Sequence, residues 1–111
     1  MSAPVTVITG GGTGVGAALA RLLAERGHQV VIAGRRKEPL DAVAADTNAT
    51  VVVGDIATEA GSKALVDAAI TAHGKIDNLV LNAGVVMNGK VTDFAVADWQ
   101  QTIDINLTAN F

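Results

Sequence analysis

The chain has 111 residues, half of them apolar and 17% charged, which is the composition of a single globular domain with a hydrophobic core. Eight basic against eleven acidic side chains give a net charge of −3, which argues against nucleic acid as a partner. Cysteine is absent, so disulfides, thiolate nucleophiles and cysteine-ligated metals are excluded. No leader-like segment or apolar run of roughly 20 residues is present, so we expect a cytoplasmic protein without a membrane partner.

Four apolar, β-branched runs alternate with segments of helical periodicity, an order typical of βαβ units. The predicted strands cover residues 5–9, 29–33, 50–53 and 76–81. The predicted helices run from about Val15 to a stop at Gly27, over 38–45, over 59–73 with a stop at Gly74, and from about Val96, after a turn over 82–89. Continuous apolar runs indicate strands that are buried on both faces. We therefore predict one Rossmann-like α/β domain over residues 1–111, with a parallel sheet in the order 3-2-1-4 and flanking helices.

A glycine-rich segment at residues 9–16 joins the first strand to the first helix. Its glycines permit a tight turn and a close approach of the backbone to a pyrophosphate, while the helix N-terminus offers unpaired amides. The predicted cofactor-binding residues here are Thr9, Gly10, Gly12, Thr13, Gly14, Val15 and Gly16. A flexible surface loop is the alternative. A Walker-type loop is excluded because Ala17 and Ala18, not Lys and Ser or Thr, follow Gly16.

The strand order reverses between the first and fourth strands, which predicts a crevice at their carboxyl ends that holds residues 10–16, Asp55 and residues 82–84. Where a fold selecting NAD carries an acid, this chain has Gly34 followed by Arg35 and Arg36. Arg can pair with a 2′-phosphate, so we predict NADP over NAD by about 10- to 100-fold, through Arg35 before Arg36. Solvated charge on a turn is the alternative. Asp55 can accept a hydrogen bond from the exocyclic amine of adenine, or be only a loop carboxylate near a helix.

Four segments together resemble the short-chain dehydrogenase/reductase family. They are Thr9-Gly10-x-x-x-Gly14-x-Gly16, Asp55-Ile56, Asn82-Ala83-Gly84 and Asp104-Ile105-Asn106-Leu107. The resemblance implies a cofactor loop, an adenine contact at Asp55 and Ile56, and a fourth-strand signature in which Asn82 fixes the central strands, with Ala83 and Gly84 in the crevice. It also implies that Asn106 belongs to a catalytic tetrad and supports a water connected to the catalytic Lys. A backbone cap or a buried water explains an amide on that helix face equally well.

The family's hydride transfer uses a Ser, a Tyr and a Lys that follow the segment corresponding to Asp104-Ile105-Asn106-Leu107, and this sequence has no Tyr. We therefore expect the cofactor-binding half of an NADP(H)-dependent oxidoreductase, truncated relative to the full fold and inactive alone. The alternatives are a nucleotide-binding module without chemistry and a self-assembling structural fragment. An open edge on the fourth strand and an uncovered last helix predict a homo-oligomer. His28 and His73 are expected at the surface or as helix caps, and no metal site is expected.

Overall fold

The computed structural model describes residues 2–111. In chain order the elements are β1 (Val5–Thr9), α1 (Gly14–Glu25), β2 (Gln29–Gly34), α2 (Lys37–Thr47), β3 (Thr50–Val53), α3 (Glu59–His73), β4 (Asn78–Val80), α4 (Val96–Asn106) and a short 3₁₀ helix, Thr108–Asn110. The four strands pair in parallel in the order β3-β2-β1-β4. The sheet order predicted from the sequence is therefore confirmed. None of the helices in this part of the chain has the length and apolar character needed to cross a bilayer.

The core lies on both faces of the sheet, because successive residues of a strand point to opposite faces. On one face, α1 and α2 cover the sheet, and the buried residues are Ile8, Ala17, Ala20, Val30, Ile32, Leu40 and Val43. On the other face, α3 covers it, and they are Val7, Val31, Ala33, Leu65 and Ala69. Every residue of β1 is buried. This double cover explains why the central strands are continuous apolar runs in the sequence.

The fourth strand is shorter than the run at 76–81 that predicts it, because β4 covers only Asn78–Val80. Its ladder pairs Thr6 with Asn78 and Ile8 with Val80. Beyond β4, the amide of Asn82 donates to the side chain of Thr9 at 3.0 Å. A side-chain acceptor thus holds the chain just after the strand, where apolar character alone predicts that the strand still continues to Leu81.

The last helix leaves exposed the face that its periodicity identifies, as the sequence analysis expects of an uncovered last helix. The pattern places Trp99, Ile103, Asn106 and Leu107 on one apolar stripe, and Trp99 is 54% exposed and Leu107 65%. The buried residue of α4 is Ile105, which lies at the cleft described below. Periodicity identifies an apolar face, whereas burial needs an element to cover it.

Polar side chains connect the amino ends of the strands. The Thr6 hydroxyl, buried in β1, lies 2.9 Å from Nδ1 of His28 and accepts from Nδ2 of Asn78 at 3.1 Å. The carboxylate of Asp77 accepts from the amide of Val5 at 2.7 Å and pairs with Lys75 at 2.8 Å. The hydrogen bond from Lys75 and then that from the Val5 amide lower the pKa of Asp77.

Each histidine of the chain lies beside a strand threonine. His28 contacts Thr6 as described, and Nε2 of His73 lies 3.2 Å from the hydroxyl of Thr50. Both histidines are half-buried. Both rings therefore keep part of their surface exposed, as predicted, and in addition contact threonines at the amino end of the sheet.

Candidate functional site

A cleft of about 270 Å³ opens at the carboxyl end of the sheet, where the chain reverses between β1 and β4. Five segments meet there: the β1–α1 loop, the start of α2 with the residues before it, the β3–α3 loop, the stretch after β4, and α4. The lining residues are Gly10, Gly12, Thr13, Gly34, Arg35, Arg36, Pro39, Leu40, Gly54, Asp55, Ile56, Ala83, Gly84, Val85 and Ile105. This is the edge at which open α/β sheets bind ligands.

The glycine-rich loop brings its backbone against this cleft and against the residues that follow β4. Gly10 has a φ of +66°, which is the left-handed region that glycine adopts without strain. Gly16 lies under the loop, and a Cβ there would clash with the carbonyl oxygen of Gly10 and lie 2.7 Å from Nδ2 of Asn82. The chain therefore needs glycine at position 16 for close packing of α1 on the loop.

The N-terminus of α1 has open donors. Thr13 precedes the helix in an extended conformation, and its side chain makes no capping hydrogen bond. The first helical bond runs from the amide of Ala17 to the carbonyl of Thr13 at 3.2 Å. Within residues 2–111, the amides of Gly14, Val15 and Gly16 have no acceptor. Such donors, with the positive end of the helix dipole, form a site for an anionic group.

Two guanidinium groups border the cleft beyond the end of β2. Arg35 and Arg36 are both exposed and line the cleft, and neither takes part in any of the ion pairs found among residues 2–111. The next cation, Lys37, is instead bonded to Asp41 at 2.6 Å. The hydrogen bond that Lys37 donates to Asp41, together with the negative charge of that carboxylate, raises the pKa of Lys37. Arg35 and Arg36 thus remain available for an anion at this edge.

The β3–α3 loop contributes the carboxylate of the cleft. Gly54 continues the pairing of β3 with β2, since its amide donates to the carbonyl of Gly34 at 2.9 Å. Asp55 follows, exposed, and its Oδ1 accepts from the amide of Ala57 at 3.0 Å. Ile56 is half-buried and packs on the α3 side of the core. Ile56 thus anchors the loop in the core, and Asp55 faces the cleft.

Thr9 and Asn82 join β1 to the end of β4. The Thr9 hydroxyl, 4% exposed, accepts from the amides of Asn82 and Ala83 at 3.0 Å each. In return, Nδ2 of Asn82 donates to the carbonyls of Thr9 at 3.1 Å and Gly10 at 3.2 Å. These bonds fix the position of Ala83 and Gly84 in the cleft relative to the glycine-rich loop.

The side chain of Asn106 is fully engaged with a backbone segment. Its Oδ1 accepts from the amide of Val85 and its Nδ2 donates to the carbonyl of Val85, both at 2.8 Å. A side chain at Gly84 would be tight against it, since a Cβ there would lie 3.1 Å from Oδ1 of Asn106. The Asn106 amide thus bonds to backbone that is distant in sequence rather than capping its own helix, and it ties α4 to the cleft.

Most of the residues predicted from the sequence meet in this cleft. Those that line it are Gly10, Gly12, Thr13, Arg35, Arg36, Asp55, Ile56, Ala83 and Gly84. Those that lie beside or beneath it are Thr9, Gly14, Val15, Gly16, Asn82 and Asn106. Thr9, Asn82 and Asn106 act on the cleft through their bonds to its backbone.

The sequence reasoning missed several apolar lining residues. Pro39 and Leu40 come from the first turns of α2, and Val85 and Ile105 lie on either side of the Asn106 contact. The only signal for them was position, because each lies within a few residues of a predicted site residue.

Comparison with known proteins agrees with this geometry. The family model for short chain dehydrogenase matches residues 4–111. An uncharacterized oxidoreductase of Listeria innocua is 38% identical over 108 residues, covering 93% of this chain and 44% of that protein. One from Staphylococcus aureus is 38% identical over 106 residues, covering 93% and 46%. The chain spans less than half the length of these curated relatives.

Solved structures show the same fold. The 3-ketoacyl-(acyl-carrier-protein) reductase of Brucella melitensis, complexed with NADH, superposes with a TM-score of 0.94 at 32% identity, covering 98% of this chain and 46% of that one. The L-sorbose reductase of Gluconobacter frateurii, complexed with NADPH and L-sorbose, gives 0.87 at 30% identity, covering 99% and 44%. Together with the match over residues 4–111 and the glycine-rich cleft at the carboxyl end of the sheet, these likenesses show that the chain belongs to the short-chain dehydrogenase family and carries the dinucleotide-binding half of its fold.

Proposed function

We propose that this chain is the NADP(H)-binding portion of a short-chain oxidoreductase that transfers hydride between a carbonyl and an alcohol. The two similar structures contain NADH in one case and NADPH in the other, so the choice of cofactor must come from this chain's own residues. The observation that supports NADP is the pair Arg35 and Arg36, which lines the cleft without an ion-pair partner in residues 2–111. A charge-assisted bond to a 2′-phosphate is worth about 1.5–3 kcal/mol, or about 10- to 100-fold in affinity.

The donors and acceptors of the cleft fit such a dinucleotide. The unbonded amides of Gly14, Val15 and Gly16 suit the pyrophosphate, because a helix N-terminus attracts an anion. The Asp55 carboxylate suits the exocyclic amine of adenine. A nicotinamide supplies the hydride when bound, and the residues of this chain bind and orient it.

Isothermal titration of NADP and NAD tests this assignment. We expect the wild type to bind NADP about 10- to 100-fold more tightly than NAD, and Arg35→Ala to remove that preference while leaving NAD binding unchanged. Arg26→Ala is the matched control, because Arg26 is an exposed arginine at the other end of α1, outside the cleft. Equal affinity of the wild type for the two cofactors would contradict the role of the arginines.

We also propose that these 111 residues bind the cofactor without turning it over. They contain no Tyr, and the family's acid–base chemistry needs one. The measurement is NADPH oxidation with a panel of aldehydes and ketones, at protein concentrations where titration shows saturation. Turnover would contradict the proposal, whereas binding without turnover supports it.

Self-association through β4 is a further part of the proposal. The strand pairs only with β1 within the described residues, and beside that open edge Leu79 is 52% and Leu81 45% exposed. An open apolar edge favours pairing with another strand. Leu81→Lys should reduce the mass seen by light scattering, while Leu22→Lys, at a position 43% exposed on α1, should not. A stable wild-type monomer at micromolar concentration would refute self-association.

A further inference from the structure

We propose that Thr58 is a positioning residue, which holds the β3–α3 loop so that Asp55 presents one free carboxylate oxygen to the adenine. This inference rests on the proposed function, because it concerns how the same cleft recognises the base. Thr58 is the residue before α3 and does not itself line the cleft. Its effect must therefore pass through Asp55, three residues earlier.

The Thr58 hydroxyl makes two hydrogen bonds in opposite directions. It donates to the backbone carbonyl of Asp55 at 2.8 Å and accepts from the amide of Gly61 at 3.0 Å. The amide of Thr58 donates to the same Asp55 carbonyl at 3.1 Å. The cap of α3 is thus bonded directly to the backbone of the residue that lines the cleft.

Gly61 packs closely against the atoms that form these hydrogen bonds. A Cβ at position 61 would overlap the carbonyl oxygen of Asp55 and lie 2.9 Å from the hydroxyl of Thr58. Ser62 adds a second tether, since its hydroxyl donates to the carbonyl of Ile56 at 2.9 Å. The first turn of α3 therefore fixes the backbone of both Asp55 and Ile56.

The fixed backbone determines which carboxylate oxygen of Asp55 is available. Oδ1 accepts from the amide of Ala57 at 3.0 Å, whereas Oδ2 has no donor among residues 2–111. Asp55 lines the cleft, so the free oxygen is the acceptor left for a ligand. A ligand with an N–H donor, such as the exocyclic amine of adenine, matches it, and a ligand with an oxygen there does not.

The test compares NADP with its hypoxanthine analogue, in which oxygen replaces the exocyclic amine, by titration against the 111-residue chain. We expect the wild type to prefer NADP by about 10-fold, the value of one well-placed hydrogen bond. Thr58→Val removes both hydroxyl bonds and should reduce that preference to about 2-fold or less. Thr58→Ser keeps the hydroxyl and should restore it.

The control is Ala64→Gly, an exposed position of the same helix. It weakens α3 by about as much as the loss of a cap does, without touching the loop. Should Thr58→Val fail to fold, Ser62→Ala tests the second tether in the same way.

The outcomes separate the two proposals. A preference that falls in Thr58→Val but not in Ala64→Gly supports the positioning role. Equal preferences in the wild type and both variants, with NADP still bound, overturn the positioning role alone. Failure of the wild type to bind NADP overturns the proposed function and this inference with it.

Discussion

Replacing Thr9 by valine removes the acceptor that joins β1 to the end of β4. Valine has nearly the shape of threonine, but the amides of Asn82 and Ala83 lose the hydroxyl oxygen that each reaches at 3.0 Å. An unsatisfied donor in a sheltered site costs about 1–3 kcal/mol, so we expect the free energy of unfolding to fall by about 2–4 kcal/mol. That is a large part of the roughly 5–15 kcal/mol that stabilises a small domain.

The assay is urea denaturation followed by circular dichroism, with two matched variants. Thr6→Val alters a threonine on the same strand that is 1% exposed, but its partners are side chains, which can turn to water, so we expect a loss of only about 1 kcal/mol. Thr9→Ser keeps the hydroxyl and loses one methyl group, which costs about 1 kcal/mol.

Comparing Thr9→Val with Thr6→Val tests whether the two backbone bonds of Thr9 stabilise the fold. If Thr9→Val and Thr6→Val lower the unfolding free energy equally, the two backbone bonds of Thr9 are not what stabilises this end of the sheet. If the reasoning holds, Thr9→Val also weakens NADP binding, because Ala83 and Gly84 lose their fixed position beside the glycine-rich loop.

Two more substitutions test other contacts. Gly16→Ala should lower the melting temperature and reduce the free energy of unfolding by about 1–3 kcal/mol, because the new Cβ overlaps the Gly10 carbonyl. Glycine to alanine ordinarily stabilises a helix, so a rise in melting temperature would show that the loop moves to make room for the Cβ. The lowered pKa of Asp77 stabilises the fold above a pH of about 4, and that contribution is lost as the pH falls through the folded pKa. Asp77→Asn should therefore flatten the acid limb of stability against pH, and an unchanged limb would exclude the contacts with Lys75 and Val5 as its cause.

Periodicity and composition predicted the bounds of those elements whose ends carry a local signal in the sequence. The bounds of β1 and β3, at 5–9 and 50–53, and of α3, at 59–73, agree with the structure, because covered strands and glycine-stopped helices leave clear local signals. The end of β4 was not predictable in this way, because it depends on a contact between residues distant in sequence, that of Asn82 with Thr9.

The sequence predicted most of the residues that line the candidate site, but not the hydrogen bonds that hold those residues in position. Glycines, arginines and Asp55 have meanings that follow from their position after a strand, and the structure brings them to one cleft. The pairing of Asn106 with the backbone of Val85, and the bonds of Thr58 to Asp55, have no such signature in the sequence. Threonine and asparagine occur at many sites for many reasons, and only the folded chain shows which backbone group each one reaches.

The polar bonds of Thr6 with His28 and Asn78 lie at the amino ends of the strands, at the opposite end of the sheet from the cleft. Three residues of extended chain, about 10 Å, separate Thr6 from Thr9. At that spacing, free-energy changes at the two rims should sum independently. Substitutions that lower the free energy of unfolding at the cleft end can therefore be offset by stabilising substitutions at the amino ends of the strands. Such stabilising substitutions should leave the residues that line the cleft, and hence ligand affinity, unchanged.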